Sequence, residues 1–196
     1  MNHYFNNNPD SKSNKKEFNI IIGDIKYTFN TDNSVFSKNY LDYGTKLLLK
    51  SLPIKKIKGQ ILDLGCGYGP IGIYIAKNTK VKVHMVDINE RALFLAKENS
   101  IKNDVFTKVY FSNIYDNIND RFDYIITNPP IRAGKEVVYK MLFEAKNYLK
   151  NNGELWLVVR KKQGAETIIR DLKTEYRVEI INKDKGYCII KAILVD

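Results

Sequence analysis

Cysteine, histidine, tryptophan and proline are all scarce in this chain of 196 residues, at two, two, one and five. Two cysteines, Cys66 and Cys188, make no disulfide framework and are too few for a cysteine zinc cluster. A reducing cytoplasm fits that count, and no metal is expected. Long apolar runs are missing too. No stretch approaches the roughly 20 apolar residues that cross a bilayer, so no membrane partner is expected. The opening MNHYFNNNPDSKSNKKE is polar and lacks the apolar segment of a secretory leader. Acidic residues are outnumbered, 22 against 32 basic, for a net charge of +10. That surplus favours a polyanionic partner such as nucleic acid, with a solvated lysine-rich surface as the plain alternative.

What remains is enough for one domain. Hydrophobic residues make up 44% of the chain, ample for one core. Residues 1–16 read as a loose polar arm. FNIIIGDIKYTFNT, Phe18–Thr31, is two extended runs around Gly23-Asp24, the signal of a hairpin. LDYGTKLLLKSL, Leu41–Leu52, reads as a helix that ends before Pro53.

Beyond residue 59 strands and helices alternate. QILDLG, VKVHMVD, KVYFSNI, FDYIITN and GELWLVVRK read as strands. PIGIYIAKN, NERALFLAKENSIKN, EVVYKMLFEAKNYLK and AETIIRDLKTE read as helices. In the third helix Val137, Val138, Met141, Leu142, Ala145, Tyr148 and Leu149 form one apolar stripe. This order predicts an α/β fold with a doubly wound, mostly parallel sheet covered on both faces. YRVEIIN and YCIIKAILV are joined only by KDKG, so they must pair antiparallel. The expected organisation is a single domain: the arm, an N-terminal extension over residues 17–58, and a core over residues 59–196.

LDLGCGYGPIG, Leu62–Gly72, follows a strand and opens a helix. Glycines let a ligand approach the backbone and let the turn take positive φ, and such loops bind nucleotides at the carboxyl edge of a sheet. Gly67, Gly69 and Gly72 satisfy a dinucleotide fingerprint, which a nicotinamide-dependent oxidoreductase would also carry. Asp87 ends the next strand, where a carboxylate accepts from both ribose hydroxyls; capping the following helix is its structural alternative.

The fuller pattern, with Asp63 before Gly65, Gly67 and Gly69, resembles the first motif of class I S-adenosylmethionine methyltransferases. The resemblance implies that Gly65, Cys66, Gly67 and Gly69 wrap the methionine part of that cofactor and that Asp63 helps hold its cationic amino group. It implies that Asp87, with Ile88 beside it, holds the ribose. Asn113 stands where relatives carry an acidic residue for the adenine amino group, with Ile114 next to it.

YIITNPPIRAGK, Tyr124–Lys135, ends a strand on Asn128, Pro129 and Pro130. Asn-Pro and Pro-Pro are common strand breakers. The placement also resembles the NPP motif of methyltransferases that modify planar exocyclic nitrogens. Such an amine is a poor nucleophile because its lone pair is delocalised. Two fixed acceptors at its N–H groups favour the pyramidal nitrogen that attacks. The Asn128 side-chain oxygen and the Pro129 carbonyl are the candidates, held by the fixed φ of the prolines. The resemblance also implies that Asn128 borders the cofactor pocket. Ile131 takes the fourth motif position, where many relatives stack an aromatic ring on the target base. A histidine base is not needed, and neither His3 nor His84 is near.

Taken together, HYF at residues 3–5, FSKNYLDYGTKLLL, ILDLGCGYGPIG, VDINERAL, TNPPIRAGK and GELWLVVRKKQGA resemble the small-domain methyltransferase family related to the ribosomal small-subunit guanine-N2 methyltransferases. The resemblance implies a seven-stranded sheet, S-adenosylmethionine as cofactor, and small-subunit ribosomal RNA as partner. It places Asp42, Gly44 and Thr45 over the cofactor. Arg132 and Lys135, with Arg160, Lys161 and Lys162 on the same sheet edge, are candidate RNA contacts. Three rivals stay open: the same chemistry on adenine N6 or a protein glutamine, a nicotinamide-dependent oxidoreductase, and a non-catalytic RNA-binding relative.

Overall fold

A computed structural model describes residues 14–32 and 40–194. The HYF segment, most of the polar arm and the first residues of FSKNYLDYGTKLLL lie outside them. The N-terminal hairpin is β1 (Lys16–Ile22) and β2 (Ile25–Thr31), paired antiparallel in full register. The extension ends in α1 (Tyr43–Ser51), whose N-cap is Asp42.

The core alternates β3 (Gln60–Leu64), α2 (Pro70–Asn78), β4 (Lys82–Asp87), α3 (Glu90–Lys102), β5 (Lys108–Phe111) and β6 (Phe122–Thr127). It continues through α4 (Lys135–Phe143), α5 (Ala145–Tyr148), β7 (Leu149–Arg160), α6 (Ala165–Leu172), β8 (Tyr176–Asp184) and β9 (Tyr187–Leu194). The seven-stranded sheet runs β5-β4-β3-β6-β7-β9-β8. The strands from β5 to β7 are parallel neighbours, and β9 runs antiparallel to both β7 and β8. The expected doubly wound sheet and its reversed last strand are both present.

Alternation along the strands sends side chains to two cores. Ile61, Trp156 and Val158 join α1, α2, α3 and the hairpin on one face. Leu62, Leu155 and Leu157 join α4 and α6 on the other. Tyr27 and Phe29 of β2 are buried in the first core, so the extension is part of it. Two asparagines, Asn99 on α3 and Asn103 at its C-cap, fasten the hairpin. Asn99 Oδ1 accepts from Asn30 N–H at 2.7 Å, and its Nδ2 donates to Asn30 O at 2.9 Å. One turn on, Asn103 repeats this with Thr28, at 3.1 and 2.7 Å. Their side-chain amides stand in for a neighbouring strand.

The expected helix over residues 136–150 needs correcting. Its stripe is genuine as far as Ala145, but the helix stops at Phe143, one more turn follows, and Leu149 opens β7 opposite Phe122. Leu149 is fully buried either way, so an apolar stripe alone could not tell its last residue from the first of a strand. β5 ends at Phe111, short of the expected Ile114. Helix α6 ends at Leu172, short of Glu175.

Candidate active site

The sheet starts at β3 in its middle, builds outward to β5, then returns to place β6 on the other side of β3. The crevice beyond the carboxyl ends of β3 and β6 is therefore the switch point where α/β sheets bind ligands. The glycine loop follows β3 and the NPP segment follows β6. Thr127 joins the two ends, its hydroxyl donating to the Leu64 carbonyl at 2.8 Å.

The glycine loop is fixed from beneath. The Gly65 and Cys66 N–H groups both donate to the Val86 carbonyl, at 2.9 and 2.8 Å. Gly67 has φ +56° and nothing within 4 Å of an added Cβ, so its backbone borders open space. Gly72 has a different job. A Cβ there would sit 2.3 Å from Met85 Sδ, so it is the glycine that lets α2 lie against β4. Asn99 Nδ2 also donates to the Tyr68 carbonyl at 2.9 Å, which ties the loop to α3. Sequence reasoning missed that role, and no local spacing signals it.

Asp63 is fully buried. Its Oδ2 accepts from Gly72 N–H at 2.8 Å, while Oδ1 has no hydrogen-bond partner among the described residues. Burial pushes its carboxyl up to about 7, opposed by the Gly72 bond and reinforced by nearby Asp87. An orphaned acceptor of this kind is costly unless a cationic donor relieves it. Asp87 accepts from Gly67 N–H at 2.8 Å and from Asn89 N–H at 2.9 Å. Burial raises its pKa, and these bonds oppose the rise. Capping of α3 falls to Asn89, which accepts from Arg91 and Ala92 N–H, so Asp87 is not the cap. Cys66 is buried, and burial together with Asp63 and Asp87 holds its thiol well above the usual range, so it is no nucleophile.

After β5, Ser112 N–H donates to the Asp87 carbonyl at 3.1 Å, which brings Asn113 and Ile114 to the same edge. Asn113 Nδ2 donates to Asp116 Oδ2 at 2.9 Å, which directs its oxygen the other way. Ile114 has φ +53°, a conformation that costs a β-branched residue of order 1–3 kcal/mol.

At the NPP segment, Asn128 Nδ2 donates to Thr45 Oγ1 at 2.9 Å and lies 3.4 Å from Asp42 Oδ1. A carboxylate only accepts, so this pair fixes which end of the amide is nitrogen and leaves Oδ1 as the free face. Thr45 is buried, not an exposed helix hydroxyl. Pro129 O accepts from Ile131 N–H at 2.9 Å. With Pro130 at φ −75°, ψ 80°, this is a tight inverse turn that fixes the carbonyl and uses one of its two lone pairs. Ile131 packs into the α4 side of the sheet.

The cations are distributed differently from one another. Arg132 is exposed. Lys135 lies over the Tyr139 ring, 4.7 Å from its centre. Arg160 lies over Tyr187 at 4.6 Å. Lys161 reaches Glu166 at 3.4 Å, and Lys162 is exposed on the following short turn.

Residues 26–191 match the model of the methyltransferase small domain family. The chain belongs to that family. It is 43% identical to the uncharacterized protein YbxB of Bacillus subtilis over 97% of both chains. It is 38% identical to ribosomal RNA small subunit methyltransferase C of Haemophilus influenzae, over 74% of this chain and 45% of that one. The T. thermophilus 16S rRNA N2 methyltransferase (RsmC), solved with AdoMet and guanosine, superposes with a TM-score of 0.84. That match is 24% identical and covers 95% of this chain and 52% of the other. The chain thus spans about half the length of the methyltransferase C relatives it matches. Among the described residues no group of histidine, cysteine and carboxylate side chains is placed to hold a metal, and no helix is long and apolar enough to cross a membrane.

Proposed function

We propose that this protein is an S-adenosylmethionine-dependent N-methyltransferase acting on an exocyclic amine of RNA, with guanine N2 of small-subunit ribosomal RNA as the target. The observation that carries the reading is Asn128, held by Thr45 and Asp42 so that its amide oxygen faces the crevice, beside a Pro129 carbonyl fixed by its own turn. Family membership and the methyltransferase C relatives support it.

The cofactor supplies an electrophilic methyl group on a sulfonium. The residues here fit it: Asp63 offers a buried, unpaired acceptor to its ammonium, Gly67 an open backbone, and Asp87 further acceptor sites to the ribose. Asn113 and Ile114 border the adenine. Asn128 Oδ1 and Pro129 O each accept one N–H of the target amine. Pairing both protons favours the pyramidal nitrogen and stabilises the positive charge that grows on it during attack. Because the alkylated nitrogen is strongly acidic, its proton needs no dedicated base. A target inside a duplex must first be flipped out.

Calorimetry with S-adenosylmethionine and with NADH separates this reading from the oxidoreductase alternative: the first should bind and the second should not. Asn128→Ala should lower turnover by about a hundredfold, the scale of losing one preorganised polar contact, with cofactor affinity nearly intact. Unchanged turnover would remove Asn128 from the chemistry.

A further inference from the structure

The family motif expects a ring at position 131, and Ile131 offers none. A different planar surface stands on the opposite face of the sheet. Tyr43 begins α1, next to the Asp42 and Thr45 that hold Asn128. Its ring centre lies 5.6 Å from that of Tyr187 on β9, at 43°. Arg160 at the end of β7 pairs with Tyr187 in register and lays its guanidinium over that ring at 4.6 Å. Asp184 accepts from the Tyr43 hydroxyl, and Lys185 lies over the Tyr43 ring at 4.9 Å. Gly44 permits this packing, since a Cβ there would meet Tyr187 Cε1 at 2.8 Å.

The position of this column is set by register. Thr127 of β6 stands opposite Leu157 of the neighbouring β7. Arg160 lies three residues further on, so it rises roughly 10 Å above that level, at about 3.3 Å per residue. It therefore stands at the same carboxyl edge as Asn128, one strand over and beyond its level, on the β9 side of β7. Tyr187 packs with the core on the α1 side, whereas Ile131 packs with the α4 side. The mouth thus has an aliphatic wall on one side and an arginine backed by two tyrosines on the other. A guanidinium plane stacks on a nucleobase as an aromatic ring does, and its charge suits a polyanion.

We propose that Arg160, backed by Tyr187 and Tyr43, is the stacking surface for the RNA base at the mouth of the site, in the role that Ile131 cannot fill. This rests on the reading of the acceptor as a nucleobase amine. Tyr187 and Tyr43 are positioning residues; Arg160 touches the base.

The test uses the full chain saturated with S-adenosylhomocysteine and a short uridine-rich RNA carrying one 2-aminopurine, whose fluorescence falls on stacking. The wild-type protein should quench it on binding. Arg160→Lys keeps the charge but loses the plane, and should weaken binding about fivefold or more, the lower end for one lost stacked base, while abolishing most of the quench. Tyr187→Leu should behave likewise and Tyr187→Phe should restore the quench. Cofactor affinity should be unchanged in all three. If Arg160→Lys binds and quenches like wild type, Arg160 is a phosphate contact and the proposal fails. It also fails if the wild-type protein binds the RNA without quenching. In either case loss of turnover in Asn128→Ala would leave the methyltransferase reading intact.

Discussion

Asp63 carries the cost of a buried, partly unpartnered carboxyl, and the cost has a pH signature. In the unfolded chain an aspartate ionises near 3.9. In the fold Asp63 keeps its proton up to about 7 because it is buried. Between those values the native state holds a proton that the unfolded state has released, so stability falls as pH rises through that window. Three pKa units amount to about 4 kcal/mol at most. Asp63→Asn should therefore raise the melting temperature of the cofactor-free protein at pH 8 and change it little at pH 4. It should also weaken S-adenosylmethionine binding more than tenfold, the usual loss for an ionic partner. Melting curves at both pH values, with and without cofactor, check both effects. Thr45→Val tests the other anchor. It should lower turnover about tenfold, in keeping with one lost positioning hydrogen bond, with cofactor affinity unchanged; the reverse pattern would make Thr45 a cofactor contact. The positions of the motif segments at the strand ends were legible because glycine and proline punctuate the chain there at short spacing. Thr45's tie to Asn128 was not, since 83 positions separate them and only the packing of α1 brings them together.

The hairpin and α3 hold the glycine loop as a unit. Asn99 serves three backbone groups: the N–H and carbonyl of Asn30 and the carbonyl of Tyr68. Asn99→Leu would leave them buried and unpaired, at about 1–3 kcal/mol for each such group. Even the lower bound for three groups, about 3 kcal/mol, predicts a fall of roughly 6–12 °C in melting temperature at 2–4 °C per kcal/mol, along with weaker cofactor binding because the loop loses its tether. Differential scanning calorimetry and calorimetric titration of the variant measure the two effects. A melting temperature within 1–2 °C of wild type would show that water replaces the amide. Strands of the core could be read from short continuous apolar runs because both sheet faces are buried, and helices from a single apolar stripe because each buries one face. Boundaries could not, as Leu149 illustrates: its burial satisfies a helix stripe and a strand equally, and only pairing with Phe122 decides. The hairpin was legible, but its attachment through asparagine amides was not, because polar residues in a helix ordinarily read as its solvent face.

On the scale of the whole molecule, the reversal of strand order beside β3 sets two sequence-distant loops side by side, and the chain as a whole carries a net charge of +10, which favours a polyanionic partner. Strand order was implied by the family resemblance rather than by local pattern, since alternation of strands and helices does not say where the sheet doubles back. The substrate is the least legible feature, because the proposed stacking surface is drawn from α1, β7 and β9 and no single motif carries it. The most direct test is mass mapping of modified nucleosides in small-subunit ribosomal RNA from cells with and without the gene, with the gene restored as wild type and as Asn128→Ala. One N2-methylguanosine should vanish without the gene, return with the wild type and stay absent with Asn128→Ala. An unchanged set of ribosomal RNA modifications, or a lost methyl group on any other atom, would contradict the assignment of guanine N2.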